Sequence, residues 1–257
     1  MKAIAGAWKR LRQVRTVPPY TALAVIYDHV MDHVDYDHWA GYLDQLLRKH
    51  AGSVRTLLDA SCGTGTLARH LQKRGYEVWG CDASLTMVRK AHHRSPQTLW
   101  WCGDVRHLAL QQKPQAILST YDSMNYLMNP EEWQQALLSF YTALPAGGVL
   151  LFDVSTVHNS KTVFQRYVQK ETTPAGTYWR SSYYRSRSSI QVNEFKIILA
   201  QEPRVTYHET HRQKILTLAK VLQHVNASPF ALLAAYADFT LQPAREFAER
   251  LHFVLQK

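Results

Sequence analysis

The chain has 257 residues and a formal charge of +10, which suits one elaborated α/β domain and permits an anionic partner without naming one. Its hydrophobic content of 46% is ample for a core, yet no apolar run reaches membrane-spanning length, which excludes a membrane-embedded enzyme. Three cysteines (Cys62, Cys81, Cys102) without zinc-like spacing exclude a disulfide scaffold and fit free thiols in a reducing cytoplasm.

Residues 1–19 hold Lys2, Lys9, Arg10, Arg12 and Arg15 and no acid, and read as a basic N-terminal helix or arm that Pro18-Pro19 ends. The apolar core of a secretion signal is absent, as is the serine-rich character of a transit peptide. Residues 20–257 read as one domain. Helical spacing of Val30 and Val34, then of Trp39, Leu43, Leu46 and Leu47, predicts one or two helices over 21–50 with a break near Asp35. Strands and helices then alternate. TLLDA, YEVWGCDAS, TLWWCGD, QAILSTYD and GVLLFDVST are the predicted strands. GTLARHLQKRG, closed by Gly75, and LTMVRKAHHR are helices, as is PEEWQQALLSFYTALPAGG, opened at Pro130 and stopped by Pro145 and Gly147-Gly148. The alternation predicts an α/β, Rossmann-like, doubly wound and mostly parallel seven-stranded sheet. Over 158–214 the rhythm changes. TYWRSSYYRSRSSIQVNEFKIILA and EPRVTYHETHRQK alternate in polarity and predict a small antiparallel sheet inserted after the fifth strand. The helix LTLAKVLQHVN and two last strands, PFALLAAYADF and RLHFVLQK, close the chain.

The turn after the first strand, Gly63-Thr64-Gly65-Thr66-Leu67-Ala68, satisfies a dinucleotide fingerprint, with Asp82 near the ribose-binding position. An NAD(P)-dependent oxidoreductase is therefore one reading. Against it, Asp59 stands four residues before the first glycine, where it would repel a pyrophosphate and attract the ammonium and sulfonium of S-adenosylmethionine (SAM). A third acid, Asp104, ends the third strand, suited to an adenine amino group while Val105 packs on the ring. A helix N-cap explains any one of these acids. It does not explain Asp59, Asp82 and Asp104 in register with two glycines at the C-terminal ends of successive strands, where such sheets bind ligands.

LLDASCGTG, VWGCDAS with Met87, and CGDVRHL resemble the three cofactor motifs of the class I SAM-dependent methyltransferases. IYDHVMDHVDYDHW is similar to the YDxLMxxxxYxxW helix of the small bacterial YqeM-like members; STYDSMNYL, YHETHRQK and ERLHFVLQK resemble their later segments. The resemblance spans residues 20–257. It implies SAM as cofactor, S-adenosylhomocysteine (SAH) as product, and a cofactor site of Tyr27, Asp59, Ser61, Cys62, Gly63, Thr64, Gly65, Asp82, Ala83, Met87, Gly103, Asp104, Val105 and Tyr121. Tyr36, Trp39, Asn125 and Glu209 are the expected acceptor contacts. Related dTDP-sugar and glycine-type N-methyltransferases carry a His in the fourth-strand segment, where this chain has Tyr126.

Methyl transfer from a sulfonium is an in-line displacement, so the protein's work is to align the nucleophile in a dry site. A base is needed only for an acceptor that arrives protonated. Asp122 or Tyr126 is expected to orient the acceptor, and His211 is the best-suited base from the ordinary range of an imidazole. His29 and His33, with Asp28 and Asp32, share a helical face but fit a solvated surface better than a metal site, so no metal is expected. The predicted reaction is methyl transfer to N or O of a small, anionic or neutral molecule. Alternatives are an RNA methyltransferase, suggested by Lys and Arg interleaved with Tyr over 161–214, and a non-catalytic SAM-binding protein. A cytoplasmic monomer or homodimer with no membrane partner completes the expectation.

Overall fold

The computed structural model describes residues 13–257. Its elements are β1 (Gln13–Thr16), α1 (Leu23–Val30), α2 (Tyr36–His50), β2 (Thr56–Asp59), α3 (Thr66–Lys73), β3 (Glu77–Asp82), α4 (Leu85–Arg94), β4 (Trp100–Cys102) and β5 (Ala116–Ser119). They continue with α5 (Pro130–Ala143), β6 (Val149–Ser155), α6 (Val157–Thr162), β7 (Tyr167–Thr173), β8 (Gly176–Arg185), β9 (Ile190–Leu199), β10 (Val205–Lys214), α7 (Leu218–Asn226), β11 (Ala231–Ala237) and β12 (Arg250–Gln256).

Helix starts follow local chemistry. The side chains of Asp35, Ser84 and Asn129 accept the N–H of His38, Met87 and Glu132, satisfying otherwise orphaned donors of α2, α4 and α5. Pro130 at the first position of α5 gives up no bond, since that N–H has no helical partner.

The main sheet runs β11-β12-β6-β5-β2-β3-β4, parallel from β4 through β6 and antiparallel at β12. α5 and α7 cover one face through Trp133, Phe140 and Val221; α2, α3 and α4 cover the other through Leu43, Leu47, Leu71 and Ala91. β5 and β6 are buried at every position, as expected of a sheet covered on both sides.

The second sheet runs β1-β10-β9-β8-β7, and its strands β7 to β10 follow the fifth strand of the main one in sequence. Its inner face, with Tyr178, Phe195, Ile197 and Tyr207, packs against Leu23, Ile26 and Val30 of α1. Two features were not foreseen. Of the basic arm expected over 1–19, residues 1–12 lie outside the described residues. Residues 13–16 form strand β1, parallel to β10 with Gln13 opposite Val205, not a helix or free arm. All four residues of β1 are exposed, so neighbouring backbone and not apolar alternation makes it a strand. The edge strand β7 was also missed. Its half-exposed, mostly polar residues give little period-2 signal.

Candidate active site

β2, β3 and β4 end side by side. Gly63 and Gly65 adopt left-handed backbone, at φ +53° and +75°, in the turn from β2 into α3. A Cβ at Gly65 would lie 2.9 Å from the Trp100 ring, so the turn closes against β4 only with glycine there. Asp82 anchors the turn: its carboxylate accepts the N–H of Gly63 at 2.9 Å and of Ser84 at 2.8 Å. Above these strand ends opens a cleft of about 330 Å³, lined by Tyr27, Ser61, Gly63, Asp82, Ala83, Met87, Gly103, Asp104, Val105 and Tyr121. All of these belong to the set expected from sequence. Pro19, Tyr20, Ser84, Arg106, Ser123, Tyr126 and Leu127 join them.

The carboxyls at this end of the cleft are electrostatically unusual: Asp82 lines it, whereas Asp59, expected there too, is not among the lining residues and lies buried at the end of β2. Asp59 is 1% exposed, and its one hydrogen bond is a long 3.4 Å contact from the Ser61 N–H. Burial drives its carboxyl up to about 7; the Ser61 N–H opposes this and neighbouring Asp82 adds to it. Burial also raises Asp82, against the pull of the Ser84 and Gly63 N–H groups. Two under-compensated carboxyls would repel a pyrophosphate, and a cation beside them would relieve both. The donor set therefore fits the cationic methionine end of SAM. Asp104 is different. Its carboxylate takes the Arg106 backbone N–H at 2.9 Å and the guanidinium at 2.6 Å, and those bonds hold its pKa below the ordinary range. Arg106 also reaches Glu132 at 2.7 Å. The expected contact of Asp104 with an adenine amino group must therefore share lone pairs with Arg106.

A second cavity, also about 330 Å³, meets the cleft at Tyr20, Tyr27, Tyr121 and Tyr126 and runs between α1, β12 and the inner face of the second sheet. Asp122, Arg180, Asn193, His211, Gln213 and Arg250 give it polar walls. At the junction Tyr121 and Asp122 hold left-handed backbone, at φ +62° and +52°, a strained state for side chains of this size. Asp153, buried in β6, stabilises it by accepting the N–H of Tyr121 at 2.6 Å and of Asp122 at 2.9 Å. Arg250 pairs with Asp153 and, at 2.9 Å, with Asp122; Gln213 donates to the other Asp122 oxygen. Burial raises the Asp122 carboxyl, and Arg250 opposes it.

Tyr126 sits in a chain of bonds. Its hydroxyl meets that of Tyr20 at 2.8 Å and His211 Nδ1 at 2.9 Å, while His211 Nε2 lies 3.2 Å from Glu209. Glu209 also accepts the N–H of Tyr20, Ala22 and Leu23, at 2.8, 2.5 and 2.8 Å, and so caps the start of α1. The network assigns the tautomer: Nε2 donates to the acceptor-only Glu209, leaving Nδ1 to accept from Tyr126. Tyr126 in turn accepts from Tyr20. Burial raises the pKa of both phenols, so both hold their protons.

Several expected contacts lie elsewhere. Glu209 is walled off behind His211 and lines neither cavity; it acts on α1. Asn125, fully buried, joins β6 to the end of β10 through Ser155 and the Lys214 carbonyl. Trp39 stacks behind Tyr121 at 4.8 Å, and Tyr36 lies between the rings of His70 and Tyr121. Cys62 packs in the core, Gly65 opens α3, and Thr64 donates to Asp28 at 2.6 Å. Asp28 itself pairs with Arg94 at 2.6 Å, tying α1 to α4. Sequence reasoning missed Asp153 and Arg250. Each is the one Asp, Glu, Lys or Arg in a mostly apolar strand, which was the available signal.

The methyltransferase domain family matches residues 57–148. A protein of Geobacillus sp. (strain WCH70) named a methyltransferase is 28% identical over 245 residues, covering 93% of this chain and 99% of that protein. The dTDP-3-amino-3,6-dideoxy-alpha-D-glucopyranose N,N-dimethyltransferase of Streptomyces fradiae is 28% identical, covering 76% of this chain and 78% of its own. The crystal structure of a SAM-dependent methyltransferase from Clostridium acetobutylicum ATCC 824 superposes with a TM-score of 0.78 at 18% identity, over 92% of this chain and 98% of that one.

Proposed function

We propose that the chain is a SAM-dependent methyltransferase and that it methylates a nitrogen of a small molecule held in the second cavity. An oxygen nucleophile is the alternative. The observation that carries this reading is the junction: a half-open cavity of small-molecule size, with polar groups on its walls, meets the cofactor cleft at a cluster of four tyrosines. The sugar N,N-dimethyltransferase named above supports nitrogen as the nucleophile. An RNA acceptor finds less support: of the aromatic residues interleaved with Lys and Arg, Tyr178 and Tyr184 are buried, and Tyr167, Trp179 and Tyr183 are only partly exposed. Among the described residues no helix is long and apolar enough to cross a membrane. Cys62, Cys81 and Cys102 are free thiols, in keeping with a reducing cytoplasm.

SAM, held in the cleft beside Asp82 with the buried Asp59 behind it, would supply an electrophilic methyl group on a sulfonium. The protein's part is alignment and proton management. Met87, Val105 and Leu127 wall the base end, and Asp82 offers lone pairs to the ribose hydroxyls. At the junction, the free lone pair of the Tyr126 oxygen accepts an N–H of the nucleophile and aims its electron pair at the cleft. Asp122, fixed by Arg250 and Gln213, accepts a second. When the acceptor arrives as an ammonium, its proton passes to the Tyr126 oxygen as the phenol proton passes to His211 Nδ1, and Glu209 stabilises the imidazolium. His211 acts through Tyr126, not directly.

The test is a methyl-transfer screen with labelled SAM against amines, alcohols and total RNA, with SAH release measured in parallel. Label on amines with matching SAH release is the expected result. Label on RNA alone would replace the small-molecule reading, and SAH binding without release in every arm would make the protein a SAM-binding regulator.

A further inference from the structure

Two arginines line the second cavity, and only one is neutralised. Arg250 is paired with both Asp122 and Asp153. Arg180, on the inner face of β8, has no carboxylate within 4.0 Å among the described residues. Its Nε donates to Ser182 Oγ at 3.1 Å and one terminal nitrogen to Asn193 Oδ1 at 3.0 Å. A guanidinium carries five N–H donors and stays protonated, so these bonds leave most of the fork unspent. The rings of Phe164, Tyr167 and Phe195 stand 5.1, 5.3 and 5.6 Å from its central carbon and fix its plane. Burial lowers its pKa, as expected of a charge taken from water without a full counter-charge.

Arg180 is half-buried, and taking a charge partly out of water without a counter-ion carries a cost that an apolar side chain in this aromatic cage would avoid. Retaining an arginine here makes sense when something else brings the negative charge. It is not the carboxylate of SAM, because Arg180 does not line the cofactor cleft.

We propose that Arg180 docks an oxyanion of the methyl acceptor, a carboxylate or a phosphate, in the bidentate geometry that a guanidinium fork favours. The acceptor is then a small molecule with its nucleophile beside Tyr126 and Asp122 and an anionic group at the far wall. Such a ligand would complete the charge balance of the cavity, with Asp122 facing its cationic or N–H end. This inference rests on the reading of the second cavity as the acceptor site.

Inorganic phosphate and acetate are the probes, titrated by calorimetry into the SAH-saturated protein. Wild type is expected to bind one of them saturably, phosphate alone pointing to a phosphate ester and acetate alone to a carboxylic acid. Arg180→Gln should weaken that binding at least tenfold, and Arg180→Lys by less, since it keeps the charge and loses the fork. SAH affinity, measured on each variant, should stay at the wild-type value and reports that the variant is folded. Equal anion binding by wild type and Arg180→Gln, or none by SAH-saturated wild type, overturns the role of Arg180 and leaves the methyltransferase reading standing. Failure of wild type to bind SAH overturns both.

Discussion

Asp59→Asn tests the cofactor site through two quantities that should move in opposite directions. The folded-state pKa of Asp59, about 7, lies above the 3.8 of a free carboxyl. Between those values the native chain holds a proton that the unfolded chain has lost, so the free enzyme loses stability as pH rises through the window. The ceiling on that loss is about 4 kcal/mol, from about 1.36 kcal/mol per unit of pKa. Asparagine removes it, and the ligand-free variant should melt above wild type at about pH 8. Cofactor binding should show the reverse. The carboxylate fraction is about nine tenths at about pH 8 and about one tenth at about pH 6, so affinity for a ligand ammonium falls about tenfold between them. SAH keeps the α-ammonium and is the suitable ligand. Calorimetry of wild type and variant across this range, with thermal melts of the free proteins, reads both effects. Asp59→Asn should bind SAH more weakly at about pH 8 and lose most of the pH slope. A slope unchanged in the variant would transfer the role to Asp82, and a flat wild-type profile would refute the argument.

Tyr126→Phe keeps the ring and removes the hydroxyl between Tyr20 and His211; kcat should fall about tenfold to hundredfold while SAH affinity shifts by less than about threefold. Arg250→Met strands the buried carboxylate of Asp153 and the half-buried one of Asp122, and melts should show a loss of about 3 kcal/mol, or about 10 °C for a chain of this size. Glu209→Gln removes a carboxylate that takes three backbone N–H groups and His211; hydrogen exchange should accelerate at the start of α1, and SAH affinity should drop, because α1 and the residues before it bring Tyr20 and Tyr27 to the cleft. Unchanged exchange at Ala22 and Leu23 would show that other contacts hold the helix.

The main sheet was legible because each of its strands is a short apolar run punctuated by glycine, proline or a capping side chain, as at Ser84 and Pro130. β1 was not, since Gln13–Thr16 has no buried face and owes its conformation to β10, far along the chain. The cofactor residues could be read in part because their positions follow from strand ends. The acceptor side was legible in part: Asp122, Tyr126 and His211 line the second cavity, whereas Tyr36, Trp39, Asn125 and Glu209 do not. Sequence gives residue type, element and face but not what covers each position along a strand: Glu209 and His211 share the buried face of β10, yet Glu209 is taken by the start of α1 and only His211 lines the cavity. Asn125 and Trp39 failed likewise: polar and aromatic side chains near a site also serve as its frame. The strained Tyr121-Asp122 turn has no local signature, because Asp153 and Arg250, which enforce it, come from other strands.

Glu209 receives the N–H of Leu23 across 186 residues of chain. On a translating ribosome, which adds roughly 5–20 residues per second, α1 emerges about 10–40 s before β10 can exist. During that interval Leu23, Ile26 and Val30 have no sheet to pack on, and the roof of the cofactor cleft cannot close. The nascent chain therefore carries an unshielded apolar helix ahead of its parallel sheet. Ligand binding becomes possible only after the second sheet is complete, so the cofactor can reward the finished fold but cannot guide its early steps.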